Sequence, residues 1–162
     1  MAERLRRNVA RACEELGMWS EERASRARAP GKWTPKQIVG HLIDSAENNH
    51  VRFVRGQLEA DLIFPGYDQE GWVESQGWAE IKWGALAGLW VAYNLHVAFI
   101  IERCSLEAFD RPRAAHNLHE IGWERVPKDQ PSSLGYLMVD YLNHLRHHLR
   151  QIEPALVEES KV

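Results

Sequence analysis

The chain has 162 residues, a net charge of −3 and 44% hydrophobic residues. That is enough for one domain, spanning residues 1–162, with a core of its own, and too apolar for a disordered chain. The acidic balance offers no broad basic field, so nucleic acid is not an expected partner. The cluster Arg23, Arg26, Arg28 and Lys32 is interleaved with acids and reads as a solvated helix face.

Targeting signals are sparse. The longest apolar region, Ala85 to Ile101, is broken by Gly88, Asn94 and His96. It is therefore not expected to supply the roughly 18–20 apolar residues of a membrane span. The charged N-terminus runs into no apolar stretch, so no secretory signal is expected. Two cysteines, Cys13 and Cys104, are too few for a disulfide framework and read as buried thiols in a reducing cytoplasm. Seven tryptophans should add aromatic surface to the core or to pocket walls.

Residues 2 to about 28 read as a first helix, with Leu5, Val9, Ala12, Cys13 and Leu16 at i, i+3, i+4 spacing, ended by Ala29-Pro30-Gly31. A second helix, Pro35 to about Ala60, has the clearest start in the chain: Thr34 at the N-cap, Pro35 in the first turn and Gln37 completing a capping box. Ile38, Val39, Leu42, Ile43, Ala46, Phe53 and Val54 form its apolar face, and His50 there reads as a hydrogen-bonded core or interface histidine rather than a ligand. A separate line of Gln37, His41, Asp44, Ser45, Asn48 and Arg52 carries few charges for a solvated side. Residues 61–78 form a turn-rich crossover with one short helix, whose aromatics could roof a pocket. A third helix is expected from about Ala79 to Ala108, followed by a polar connection over 109–131. A fourth, capped by Ser132 or Ser133, runs to Glu153 and stops at Pro154, leaving a frayed tail to Val162. Four amphipathic helices without a convincing strand give an all-α four-helix bundle, and the long connections permit crossovers.

The fourth helix concentrates the chemistry. Leu134, Met138, Tyr141, Leu142, Leu145, Leu149 and Ile152 share one face. Asp140, Asn143, His147 and Arg150 lie roughly opposite, which points His147 to water. His144 and His148 flank the apolar stripe one turn apart, and two imidazoles at i and i+4 can grip one metal ion. His41 is the best third partner by pattern. His96 stands alone, while His116 and His119 fall in a connection that proline and glycine leave mobile. Spacing alone leaves a ligand set and a merely histidine-rich helix surface equally open.

Two blocks then carry a family resemblance. Residues 31–45, GKWTPKQIVGHLIDS, resemble the W-(S/T)-x6-H-L-x-D-(S/A) signature of the DinB/YfiT-like superfamily, and residues 140–152, DYLNHLRHHLRQI, resemble its D-Y-x-x-H-x-x-H-H-x-x-Q-I block. The resemblance implies a bundle of up-down-down-up connectivity, often a homodimer, with a divalent metal such as zinc or nickel on His41, His144 and His148. Three neutral imidazoles leave a coordination position for water or a low-molecular-weight thiol, so the implied activity is that of a hydrolase or thiol S-transferase acting on a small electrophile. Asp44 is the expected partner that orients His41 or accepts a proton. Asn48, Arg52, Tyr67, Trp72 and Tyr93 are the expected pocket lining. The competing expectation is a non-catalytic bundle that only binds a metal or small ligand.

Overall fold

The computed structural model describes residues 1–157. In chain order these form α1 (Ala2–Gly17), α2 (Glu21–Ala24), α3 (Pro35–Leu58), α4 (Gln69–Ser75), α5 (Trp83–Arg103), α6 (Leu106–Asp110), α7 (Leu118–Ile121), α8 (Leu134–Ile152) and a 3-10 turn at Pro154–Leu156. No β-strand is present among the described residues. Two isolated bridges, Leu62 with His116 and Arg113 with Ser132, tie the two long connections to each other and to the start of α8.

The four long helices close a ring in which α1 meets α5, α5 meets α3, α3 meets α8 and α8 meets α1. Contacts along the helices fix their directions. Leu134 packs at Gly56, the Phe53 and Tyr141 rings are 5.7 Å apart, and His41 meets His148, so α3 and α8 are antiparallel. Lys36 reaches Ala79 at one end while His50 meets Tyr93 and His96 at the other, so α3 and α5 run parallel. Trp83 donates to the Leu16 carbonyl and Arg6 pairs with Glu102, which makes α1 and α5 antiparallel. The bundle is therefore up-down-down-up, with the 59–82 segment running back along the length of α3 to reach the start of α5.

Local chemistry accounts for the boundaries. Thr34 and Gln37 form the expected capping box at α3, and Ser133 accepts from the Tyr136 N–H to start α8. The expected first helix is instead split. The main chain leaves α1 after Gly17, and Ser20 caps a separate short turn by accepting from the Arg23 N–H. The third long helix begins at Trp83, later than expected, and Ser105 caps α6 as a new element beyond Arg103. Cys13 is exposed and Cys104 half-buried, so neither is the buried thiol expected.

Two more expectations change. The chain does not fray after Pro154: Leu156 and Val157 are buried, and Arg11 donates to the Ala155 carbonyl, while the rest of the expected tail lies outside the described residues. Despite its interruptions, α5 is long and apolar enough by composition to cross a membrane (mean hydropathy 1.6). In the bundle its Leu86, Trp90, Val97 and Ala98 are buried, and the helix packs on α1 and α3.

Nearly every turn of α3 is covered, which decides the fate of its polar line. His41 and Asp44 are fully buried, and Ser45 and Arg52 nearly so. All seven residues assigned to the apolar face of α8 are buried as well.

Candidate metal centre

Where α3 and α8 cross, three imidazoles meet. The Nε2 atoms of His41 and His144 are 3.2 Å apart, and the His148 ring centroid lies 4.7 Å from that of His41 and 4.5 Å from that of His144. One ring nitrogen from each of the three falls within 4.8 Å of the others. Two nitrogens bound tetrahedrally to one cation at about 2.0–2.1 Å stand about 3.3 Å apart, so the His41–His144 spacing suits a shared ion.

The outward ring nitrogens support the same orientation. His148 Nδ1 donates to Gln151 Oε1 at 2.8 Å, and the Gln151 amide donates to His147 Nε2 at 3.0 Å. His144 Nδ1 pairs with Ser45 Oγ at 3.3 Å. The bond to Gln151 puts the His148 ring proton on Nδ1 and leaves its Nε2 lone pair facing its neighbours, while the Ser45 hydroxyl holds the His144 ring from the far side. His41 Nδ1 is buried and has no hydrogen-bond partner among the described residues; the Trp33 ring lies against this imidazole at a centroid distance of 5.3 Å.

Burial keeps the trio neutral. Desolvation, followed by repulsion from His148, lowers the His41 pKa to about 3. Desolvation lowers that of His148 to about 4, against the favourable Gln151 bond, and holds His144 well below the ordinary histidine range. Three uncharged nitrogen donors facing inward are the protonation state that a divalent cation requires. His147 is exposed, as its helical phase indicated, and its ring packs on Trp123 at 5.3 Å.

Asp44 sits elsewhere. Its carboxylate accepts from Gln76 Nε2 at 2.6 Å and from Trp78 Nε1 at 3.2 Å, and it makes no hydrogen bond to His41. Burial raises its pKa to about 6 in spite of those bonds. The side chain thus fastens the crossover segment to α3. Gly40 makes this possible, because a Cβ there would collide with the Trp78 ring.

A cavity of about 310 Å³ opens beside the trio on the His144 side. Ser45, Asn49 and Arg52 line it from α3, Tyr67 and Gln69 from the crossover, Ile121, Trp123 and Arg125 from the second connection, and Asp140 and Tyr141 from α8. Of the expected lining, Arg52 and Tyr67 are present. Asn48 and Trp72 border a neighbouring groove with Val51 and Phe64, and Tyr93 is on α5, hydrogen-bonded to His50 at 3.4 Å.

Asp140, expected on the solvated face, is buried. It accepts the N–H groups of Trp123 and Glu124 at 3.0 and 2.7 Å and so pins the loop that sets Trp123 against His144 and His147. The second connection is also less free than its glycine and prolines suggested, since His116 is buried and its Nε2 donates to the Gln130 carbonyl at 2.7 Å.

A sequence profile of the DinB superfamily matches residues 1–152. The chain belongs to the DinB superfamily. Among curated relatives, a protein of Bacillus mycoides (strain KBAB4) named "putative metal-dependent hydrolase" is 26% identical over 150 residues, covering 93% of this chain and 78% of the relative. A Bacillus cereus (strain ATCC 10987 / NRS 248) protein with the same description is 26% identical over 122 residues, 75% of this chain and 64% of its own length. The fold of this DinB-superfamily chain is also that of YfiT from Bacillus subtilis. That structure, described as "a probable metal-dependent hydrolase with an unusual four-helix bundle topology", matches with a TM-score of 0.75 over 95% of this chain and 82% of YfiT, at 18% identity.

Proposed function

We propose that this chain is a metal-dependent hydrolase of a small molecule, using a divalent cation, zinc or nickel, held by His41, His144 and His148. The observation that carries the reading is the convergence of three neutral imidazoles, two of them fixed by outer hydrogen bonds, beside a cavity. The names of the curated relatives support it. A cation held by three imidazoles supplies Lewis-acid activation of water.

The chain's own residues have separable tasks in this scheme. Ser45 and Gln151 hold the rings of His144 and His148 in register, and Trp33 and Trp123 exclude bulk water from either side. Asp140 keeps the Trp123 loop closed over the cavity. The protein works in the cytoplasm as a homodimer. Support for the dimer comes from a run of exposed apolar side chains on adjacent helices: Val51 and Val54 of α3, with Leu89, Leu95 and Phe99 of α5.

Metal analysis of the purified protein and three alanine variants tests the reading, with circular dichroism to confirm folding and light scattering to give the assembly mass. His144→Ala and His148→Ala should each lose stoichiometric metal, whereas His147→Ala keeps it. Full metal content in His144→Ala would refute the site. Turnover of a model electrophile with a low-molecular-weight thiol, and none with water, would refute hydrolysis in favour of S-transfer.

A further inference from the structure

The cavity beside the trio contains a buried cation that the proposed chemistry leaves unused. Arg52 is 6% exposed, and a guanidinium stays protonated at any physiological pH. One of its N–H groups donates to the Pro65 carbonyl at 3.1 Å. Arg52 forms no ion pair within 4 Å among the described residues: Asp140, on the same cavity wall, acts on it only from farther off and gives its two oxygens to the Trp123 and Glu124 N–H groups. A buried guanidinium with donors left over and a cavity in front of it is a site for an oxyanion.

We propose that Arg52 seats a carboxylate of the substrate, so that the three-histidine site acts on a carboxylated small molecule. The inference rests on the hydrolase reading for the reaction and on the cavity alone for the anion. Ser45, Asn49 and Arg52 follow one another at i, i+4 and i+7 along α3. Seven residues of helix rise about 10 Å, which separates the anion end of the cavity from the end that reaches His144. Binding at Arg52 therefore places the rest of the molecule along the cavity toward the trio. A monoanion fits better than a phosphate dianion, because a single buried guanidinium faces it and Asp140 shares the wall. Tyr67 and Trp123 give the cavity aromatic sides.

The test uses benzoate, its neutral isostere benzamide, and inorganic phosphate, titrated into the chelator-treated full chain by calorimetry and ligand-observed NMR. Benzoate should bind at least tenfold more tightly than either of the others. Arg52→Gln should cost at least tenfold in benzoate affinity and leave benzamide unchanged. Arg52→Lys should fall between, because lysine keeps the charge and loses the fork. Arg125→Gln, at the exposed mouth, should cost less than threefold.

Equal affinity for benzoate and benzamide in the wild type overturns the proposal without any variant. So does unchanged benzoate affinity in Arg52→Gln, or benzoate that binds only after metal is restored, which would put the carboxylate on the cation. A chain that takes up no metal yet binds benzoate through Arg52 would sink the hydrolase reading and leave the anion site standing.

Discussion

Acid should destabilise the metal-free protein steeply between pH 7 and pH 5.5, and the three site histidines should account for most of the loss. Burial depresses the pKa of His41 to about 3 and of His148 to about 4, and lowers that of His144 in the same direction. An unfolded chain binds protons at these positions near pH 6.5, and the folded chain does not. Stability from such groups is present above the unfolded pKa and is lost as pH falls toward the folded one. Each unfolded imidazole gains about 1.4 kcal/mol from protonation at pH 5.5 and about 0.2 kcal/mol at pH 7, so each site histidine costs about 1.2 kcal/mol over the interval. Three of them cost about 3–4 kcal/mol, a large part of an ordinary domain's total of about 5–15 kcal/mol. Asp44 acts in the opposite direction. Its pKa of about 6 lets the folded state take up a proton in this range, returning about 0.8 kcal/mol. Urea unfolding of chelator-treated wild type and His41→Gln at the two pH values isolates the effect, because the direct cost of the substitution cancels in the pH difference. The variant should lose about 1.2 kcal/mol less than wild type over the interval. Equal losses would refute the reasoning, since they would mean that residue 41 titrates alike in both states.

Two further expectations follow from the surrounding hydrogen bonds. Ser45→Ala removes the oxygen paired with His144 Nδ1 and should weaken zinc affinity about 10–100-fold with little change in the metal-free melting temperature, as read by competition with a chromogenic chelator. Asp44→Asn should gain stability over wild type as pH rises. The folded carboxyl has its pKa raised from 3.8 to about 6, so its contribution is full below pH 3.8 and is lost as pH passes 6. The amide escapes that loss, worth about 2–3 kcal/mol at pH 8 and little at pH 4 in metal-free melts. A constant difference across that range would contradict the assignment.

The sequence made the bundle readable because the α8 pattern and the Thr34-Pro35-Gln37 start depend on neighbours within a turn or two. The breaks at Gly17 and after Arg103 were less visible, since each depends on a serine cap only a few residues into a polar stretch. The same distance rule separates what was seen at the site from what was missed. His144 and His148 stand out by residue type and spacing, and the resemblance of the two blocks to a known signature adds His41. Ser45 and Asp140 do not, because their partners, His144 in one case and the Trp123 and Glu124 N–H groups in the other, come from remote segments. Helical phase placed Asp140 outward relative to α8 alone. A loop that covers the outward face buries it, and phase within one helix carries no information about such a loop.

The two signature blocks make physical sense as a support system as much as a proposed ligand set. In the second block His144 and His148 face the centre, Gln151 fixes His148, and Asp140 fixes the loop that closes over His144. His147 accepts from the Gln151 amide nitrogen and meets Trp123, so an exposed histidine still helps to settle which way that amide points. In the first block Trp33 covers His41, while Asp44 holds Trp78 across the gap that Gly40 leaves. His41 alone has no hydrogen bond on its outer nitrogen and is oriented by packing. Imidazoles held by these bonds and ring contacts are preorganised for the proposed cation, whose uptake would then cost little conformational entropy.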